Sequence, residues 1–253
     1  MAYTTIDDPS AYFNTVLYTG NGSTNAITNS ANAGNFQPDW VWFKRRTGSN
    51  SHQLYDSVRG ATKRIRSDTT EAESTVSAGL TSFDSNGFSL GSDEAVNVNS
   101  GSFVAWQWKA NGGTTSSNSD GTITSTVQAN TTAGFSIVTY TGNGTSGATI
   151  GHGLNSAPEW TIIKRRSDTE AWPVWHTAFG SAQSNVRLNG TDVVDTSSSG
   201  MFNNTFPTSS LITLGNGNFV NTNTETYVAY CFSEVKGYSK FGSYTGNGAT
   251  PGP

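Results

Sequence analysis

The chain has 253 residues and a mass of 26.8 kDa, room for one large β domain or for two of about 120 residues. Only 13% of positions are charged and the formal net charge is −4, which excludes a general nucleic-acid binder built on a surplus of Lys and Arg. Ser, Thr and Asn fill 93 positions, yet 7 Trp, 9 Tyr and 13 Phe exclude disorder of the whole chain, and the single Cys231 excludes an internal disulfide.

The opening Met-Ala-Tyr-Thr-Thr-Ile-Asp-Asp-Pro-Ser has neither a basic start nor the apolar run of an export signal, and no later stretch approaches the ~20 apolar residues that span a bilayer. The first punctuation is Tyr18-Thr19-Gly20-Asn21-Gly22, a turn whose glycines suit positive φ. After Pro38, the run Trp40-Val41-Trp42-Phe43 has the aromatic and β-branched composition of a strand covered on both faces. Lys44-Arg45-Arg46 follows it directly, so its stems are expected along the sheet edge with their heads in water or against carboxylates such as Asp56. Residues 55–72 contain Gly60 and a run of Thr and Ser, and allow at most one or two helical turns. Ser85-Asn86-Gly87 is a hairpin turn, and residues 103–108 are a strand.

Residues 111–121 carry nothing that anchors a core and are expected to be a flexible linker, with an edge strand over 122–132. The landmarks then return. Tyr140-Thr141-Gly142-Asn143-Gly144 lies 122 residues after its first copy. Pro158-Glu159-Trp160 with Lys164-Arg165-Arg166 lies 120 residues after Pro38-Asp39-Trp40 with Lys44-Arg45-Arg46. Leu214-Gly215 and the strand 227–232 each lie 124 residues after Leu90-Gly91 and 103–108. Such ordered self-similarity predicts two homologous domains. The expected fold is all-β: two tandem β-sandwich domains, jelly-roll-like and lectin-like, at 1–110 and 131–236, joined by a Gly/Ser/Thr/Asn linker at 111–130. Residues 237–253 open a third copy at Tyr244-Thr245-Gly246-Asn247-Gly248 or pack as an extended tail; the natural protein is expected to be longer.

These residues, together with Asp56-Ser-Val-Arg-Gly60 and the stretch 83–90, resemble the tandem modules of virion structural proteins in marine tailed phages, including those infecting picocyanobacteria. The resemblance implies a tail-fibre or lectin-like role, a location on the virion after synthesis in the host cytoplasm, and other virion proteins as partners. It also implies a homo-oligomer, with a trimer as one form. The second repeat departs from the pattern: His176-Thr-Ala-Phe-Gly180 stands where the first has Asp56-Ser-Val-Arg-Gly60.

For chemistry, Trp172 and Trp175 interrupt a polar stretch and, with His176, are the candidate carbohydrate platform, because aromatic faces flanked by polar donors suit pyranose rings. Trp175 has a second reading as core, since it aligns with Tyr55. Lys63, Arg64 and Arg66 are the candidate anion site. The three histidines lack metal-ligand spacing, so no metal centre or cofactor is expected, with a structural calcium held by backbone carbonyls left open. Glu71-Ala-Glu73 and Asp192-Val-Val-Asp195 are the nearest carboxylate pairs for a glycosidase, but neither recurs in the other repeat, and the expectation is a non-enzymatic protein. A cellular adhesin or filament-forming matrix module is the alternative, and a polysaccharide depolymerase the third class. Host-surface glycan is the expected ligand; nucleic acid and membrane insertion are not expected.

Overall fold

The computed structural model describes residues 4–29 and 35–250. In the first half the strands are β1 (Phe13–Thr19), β2 (Asn25–Thr28), β3 (Trp40–Arg45), β4 (Gln53–Asp56), β5 (Lys63–Arg64), β6 (Ser74–Thr75), β7 (Leu80–Asp84), β8 (Gly87–Leu90) and β9 (Ser102–Trp108). They are followed by β10 (Ser116–Asn118), β11 (Ser125–Asn130), β12 (Phe135–Thr141), β13 (Thr149–Gly151), β14 (Trp160–Arg165), β15 (Pro173–His176), β16 (Val186–Arg187), β17 (Leu211–Thr213) and β18 (Thr226–Phe232). The chain is nearly all β, as its composition predicts. Residues 55–72, which allow at most one or two helical turns, contain none, and two single-turn helices, α1 (Glu94–Asn97) and α2 (Ser199–Phe202), lie elsewhere.

The repeat in sequence is a repeat in topology. The first half has a four-stranded antiparallel sheet in the order β1-β9-β3-β4, and the second contains the same order as β12-β18-β14-β15. Equivalent residues occupy equivalent rungs: Trp40 pairs with Trp108, and Trp160 pairs with Phe232. Smaller sheets, β2-β8-β7 and β13-β17, accompany the two large ones. Alternation then gives each large sheet two faces. Val41, Phe43 and Ala105 turn into a core with Phe88 and Leu90, and Ile163, Ala229 and Cys231 turn into the equivalent core with Ile212 and Leu214.

The opposite faces of the two large sheets meet in a third core, which joins Trp40, Leu54 and Ile65 to Phe135, Ile137, Ile162, Trp172 and Tyr230. Trp40 is completely buried there and stacks on Tyr230 with ring centroids 4.4 Å apart. The two halves therefore share apolar area that neither buries alone.

Residues 111–130, expected as a linker with an edge strand, are built into the sheet. β11 pairs along β12, β10 pairs along β11, and the second sheet reaches seven strands. Asp39 anchors the start of the segment. Its buried carboxylate accepts the N–H groups of Ala110 at 2.7 Å, Gly112 at 2.9 Å and Gly113 at 2.8 Å, and Gln128 Nε2 at 3.2 Å. Gly112 and Gly113 both have positive φ, which turns successive N–H groups toward one anion. Small residues that looked like flexibility in the sequence are what this cradle requires.

The Tyr-Thr-Gly-Asn-Gly motif also has a local cause. In the first repeat the buried Asn97 amide donates to Asn21 Oδ1, Ser23 O and Gly91 O, while its own Oδ1 accepts Asn21 N–H. Asn221 does the same with Asn143, Thr145 and Gly215. A Cβ on Gly20 would stand 2.2 Å from Val98 O, and one on Gly142 2.3 Å from Thr222 O, so close approach fixes these glycines. Asn97→Ala strands three backbone or amide acceptors in a buried node, and the expected loss is on the order of 3 kcal/mol. Urea unfolding checks this; a shift no larger than that of an exposed substitution contradicts the assignment.

Candidate functional site

The densest polar cluster lies at the junction of the halves. Asp56, completely buried at the end of β4, accepts Arg59 Nε, Arg59 N–H at 2.8 Å and the Tyr230 hydroxyl at 2.6 Å. Arg59 reaches Glu73 at 3.0 Å, and Glu73 in turn takes both Nε and Nη2 of Arg166 at 2.9 and 3.1 Å. Burial alone would raise the Glu73 carboxyl; hydrogen bonds from Arg166 and the charge of Arg59 overcome it and hold the group below its ordinary range. Such a carboxylate is kept ionised, the opposite of what a general acid needs. Glu71 pairs with Arg66, and Asp192 pairs with Arg187 at 3.5 Å. These acids serve as ion-pair partners.

A different place has the shape of a ligand site. Two adjoining cavities, of about 360 and 540 Å³, share Trp160 and Phe241 as walls. The first is lined by Phe13, Trp108, Phe135 and Phe232 from the two large sheets, the second by Val174, His176, Phe179 and Leu188. Trp160 starts β14 between β18 and β15, which sets its ring over Phe232 at 4.9 Å with an interplanar angle of 25°. It is only half-buried, as are Trp108 and Phe241. Tyr238, Ser239 and Lys240 form the rim. Cavities of a few hundred Å³ with aromatic walls and a sparse polar rim match small-ligand sites in size and chemistry. Burial lowers the His176 ring below its ordinary value, so the imidazole is neutral near pH 7 and its Nδ1 accepts Ala178 N–H at 3.0 Å.

The residues singled out from sequence are dispersed. Trp172, expected as an exposed platform, is completely buried, and its Nε1 donates to Arg66 O at 2.9 Å and Thr69 O at 3.1 Å of the first repeat. Trp175 is 3% exposed and belongs to the second repeat's own core. Trp172 is covered by the first repeat, whose carbonyls take its Nε1–H, while residues 167–169 and 177 of the same stretch stay exposed. His176 alone of the three reaches the cleft. Lys63, Arg64 and Arg66 do not converge on an anion: Lys63 donates to Thr75 Oγ1 at 2.8 Å, Arg64 meets Asp93 at 3.4 Å, and Arg66 meets Glu71. The second run, Lys164-Arg165-Arg166, carries the same expectation of heads in water or against carboxylates; Arg166 lies against a carboxylate, Glu73 of the first repeat, whereas Lys164 reaches neither. Lys164 is completely buried and donates to Thr70 O and Glu170 O. Asp56 is taken by Arg59 rather than by either Lys-Arg-Arg run. The run Trp160-Thr161-Ile162-Ile163 has the composition of a strand covered on both faces, which gives no sign that Trp160 itself is half-buried at a cleft. The one signal in the sequence that sets it apart is its pairing with Phe232 and His176 where the first repeat has Trp108 and Asp56.

A family model described as Domain of unknown function (DUF7483) matches residues 8–253, and the chain belongs to that family. No curated protein and no solved structure matches the chain.

The Glu73 cluster makes a pH prediction. A carboxyl whose folded-state pKa is depressed contributes stability that is present above its unfolded value, ordinarily 4.5, and is lost as pH falls through the folded value. Glu73→Gln should lower stability at neutral pH and flatten the acid limb of the stability profile. Unfolding midpoints of the two proteins followed from neutral to acid pH check it; parallel profiles refute it.

Proposed function

We propose that this chain is a non-enzymatic structural and adhesion module that contacts carbohydrate through the aromatic cleft at Trp160. The observation that carries the reading is the half-buried Trp160 ring, stacked on Phe232 and flanked by two apolar cavities. A pyranose offers one apolar face to such a ring and a hydroxyl rim to donors such as those of Ser239, Lys240 and His176. Each half is read as a sandwich of jelly-roll type, a four-stranded sheet over a smaller one. The resemblance to marine tailed-phage modules supports a place on the virion, as a tail-fibre or surface-decoration component, with host envelope glycan as the partner. Weak single-site contacts of this kind gain strength when many copies engage one surface.

Titration of purified host-envelope polysaccharide into the protein should quench tryptophan fluorescence, and Trp160→Ala should weaken binding at least about tenfold, the loss of one aromatic stacking contact. Trp175→Phe, in the second repeat's core, should leave affinity unchanged. Saturable binding with equal affinity in Trp160→Ala refutes the cleft, and absence of the protein from purified particles by immunoelectron microscopy refutes the virion assignment.

A further inference from the structure

Each repeat carries the same finger after its fourth strand. In the first, Leu54 bridges to Ile65, Arg64 pairs with Ser74, Arg66 meets Glu71, and Asp68 Oδ1 accepts His52 N–H. In the second, Val174 pairs with Val186, Asn185 bridges to Asp195, Arg187 meets Asp192, and Asn189 Oδ1 accepts Trp172 N–H. The equivalence holds residue by residue at an offset of 121 beyond Ile65, so Ala72 and Glu73 correspond to Val193 and Val194.

The first finger lies on the second repeat's sheet face. Thr70 O accepts Lys164 Nζ at 3.0 Å, Glu73 N–H donates to Arg166 O at 2.9 Å, and Glu73 binds the Arg166 side chain. Beneath the joined halves, the cross-strand rows Ile137-Tyr230-Ile162 and Thr139-Val228-Lys164 hold Ile137, Tyr230, Ile162, Val228 and Lys164 at no more than 1% exposure. The second finger has no such seat: Val193 is 88% and Val194 38% exposed. The matching face of the first repeat has no finger on it. Its rows are Thr15-Trp106-Trp42 and Leu17-Val104-Lys44. Trp42 and Trp106 are half-buried, with Trp42 Nε1 donating to His52 Nδ1 at 2.7 Å, Val104 is 9% and Leu17 60% exposed, and among the described residues Arg46, the counterpart of Arg166, meets no carboxylate. This face continues directly from the neighbouring row, in which Trp40 is sealed against the second repeat.

We propose that the Trp42–Trp106 face of the first repeat receives the finger of residues 189–195 from a second copy of the chain, repeating between molecules the contact that joins the two halves within one. Both partners changed in the same chemical direction relative to the internal pair. Glu73 and Ala72 become two valines on the finger, and Tyr230 and Ile162 become two tryptophans on the face. The finger also brings Asp192 and Asp195 toward Lys44 and Arg46. A contact between two different surfaces leaves each copy a second surface to offer, so copies add head to tail, into a ring where the rotation closes and a filament where it does not. The contact is independent of what the Trp160 cleft binds.

Analytical ultracentrifugation of the full chain should show a mean mass that rises with concentration beyond that of a dimer. The double variant Val193→Asp/Val194→Asp, changed only at exposed side chains, should sediment as a monomer with an unaltered unfolding midpoint. Val194→Cys/Arg46→Cys, the pair that corresponds to Glu73 and Arg166, should give a ladder of disulfide-linked multimers on oxidation, and each single cysteine nothing beyond a dimer. A wild-type monomer at every concentration with no ladder overturns the proposal, as does a closed dimer that the double aspartate variant leaves intact.

Discussion

The structure depends on one aromatic contact, the Trp40 ring laid over Tyr230. Each large sheet has one face that it can cover with its own smaller sheet and one that it cannot. Placing Trp40 on an interior strand of the first sheet, against Tyr230 on an interior strand of the second, lets the uncovered faces meet. The polar atoms trapped by that contact then dictate what surrounds it. The Tyr230 hydroxyl needs an acceptor and finds Asp56; Asp56 needs a cation and finds Arg59; Arg59 has donors to spare and finds Glu73, which recruits Arg166. A buried ion chain of this kind adds little stability over an apolar replacement, but breaking any one link leaves a charge uncompensated. Its consequence is register: the chain closes only when the two halves sit at one offset.

That offset explains why equivalent residues in the two repeats have unequal fates. Asn97 and Asn221 make the same bonds because each node lies wholly within its own repeat. Trp40 and Trp160 start equivalent strands, yet Trp40 is sealed in the joint while Trp160 stands at the mouth of the cleft. Lys44 and Lys164 both donate to a carbonyl in the following turn, at Asn50 and Glu170, but only Lys164 is covered. Burial lowers the Lys164 amine to about 8, whereas its counterpart remains at the surface of the open face.

The sequence made the repeat, the β class and the glycine turns legible, because these follow from local rules that each segment obeys on its own. Gly20 and Gly142 are needed whatever the other half does. What escaped was everything decided by contact between halves. Trp172 sits in a polar stretch and has the look of a surface residue, and nothing within 167–177 announces that Arg66 and Thr69 of the other repeat supply its hydrogen-bond acceptors. The joint at 111–121 has the composition of a linker, and only Asp39, 70 or so residues upstream, turns its glycines into an anion cradle. Asp39 was visible in the repeat as a landmark, but the landmark carried no indication of what its carboxylate holds.

One face of the first sheet thus has unequal fates. On the single rung Phe13-Trp108-Trp40, Trp40 is locked into the second repeat while Phe13 and Trp108 wall the cleft. On the next rung Leu54 enters the joint, whereas Trp106 is only partly covered and Thr15 is exposed. The second repeat therefore covers the β3–β4 side of this face and leaves much of the β9–β1 side uncovered, and the cleft lies on that uncovered side. The Asp56–Arg59–Glu73–Arg166 chain fixes that arrangement: Arg59 ties Asp56 to Glu73 within the first half, and the second half is held to those two acids by the Tyr230 hydroxyl and by Arg166.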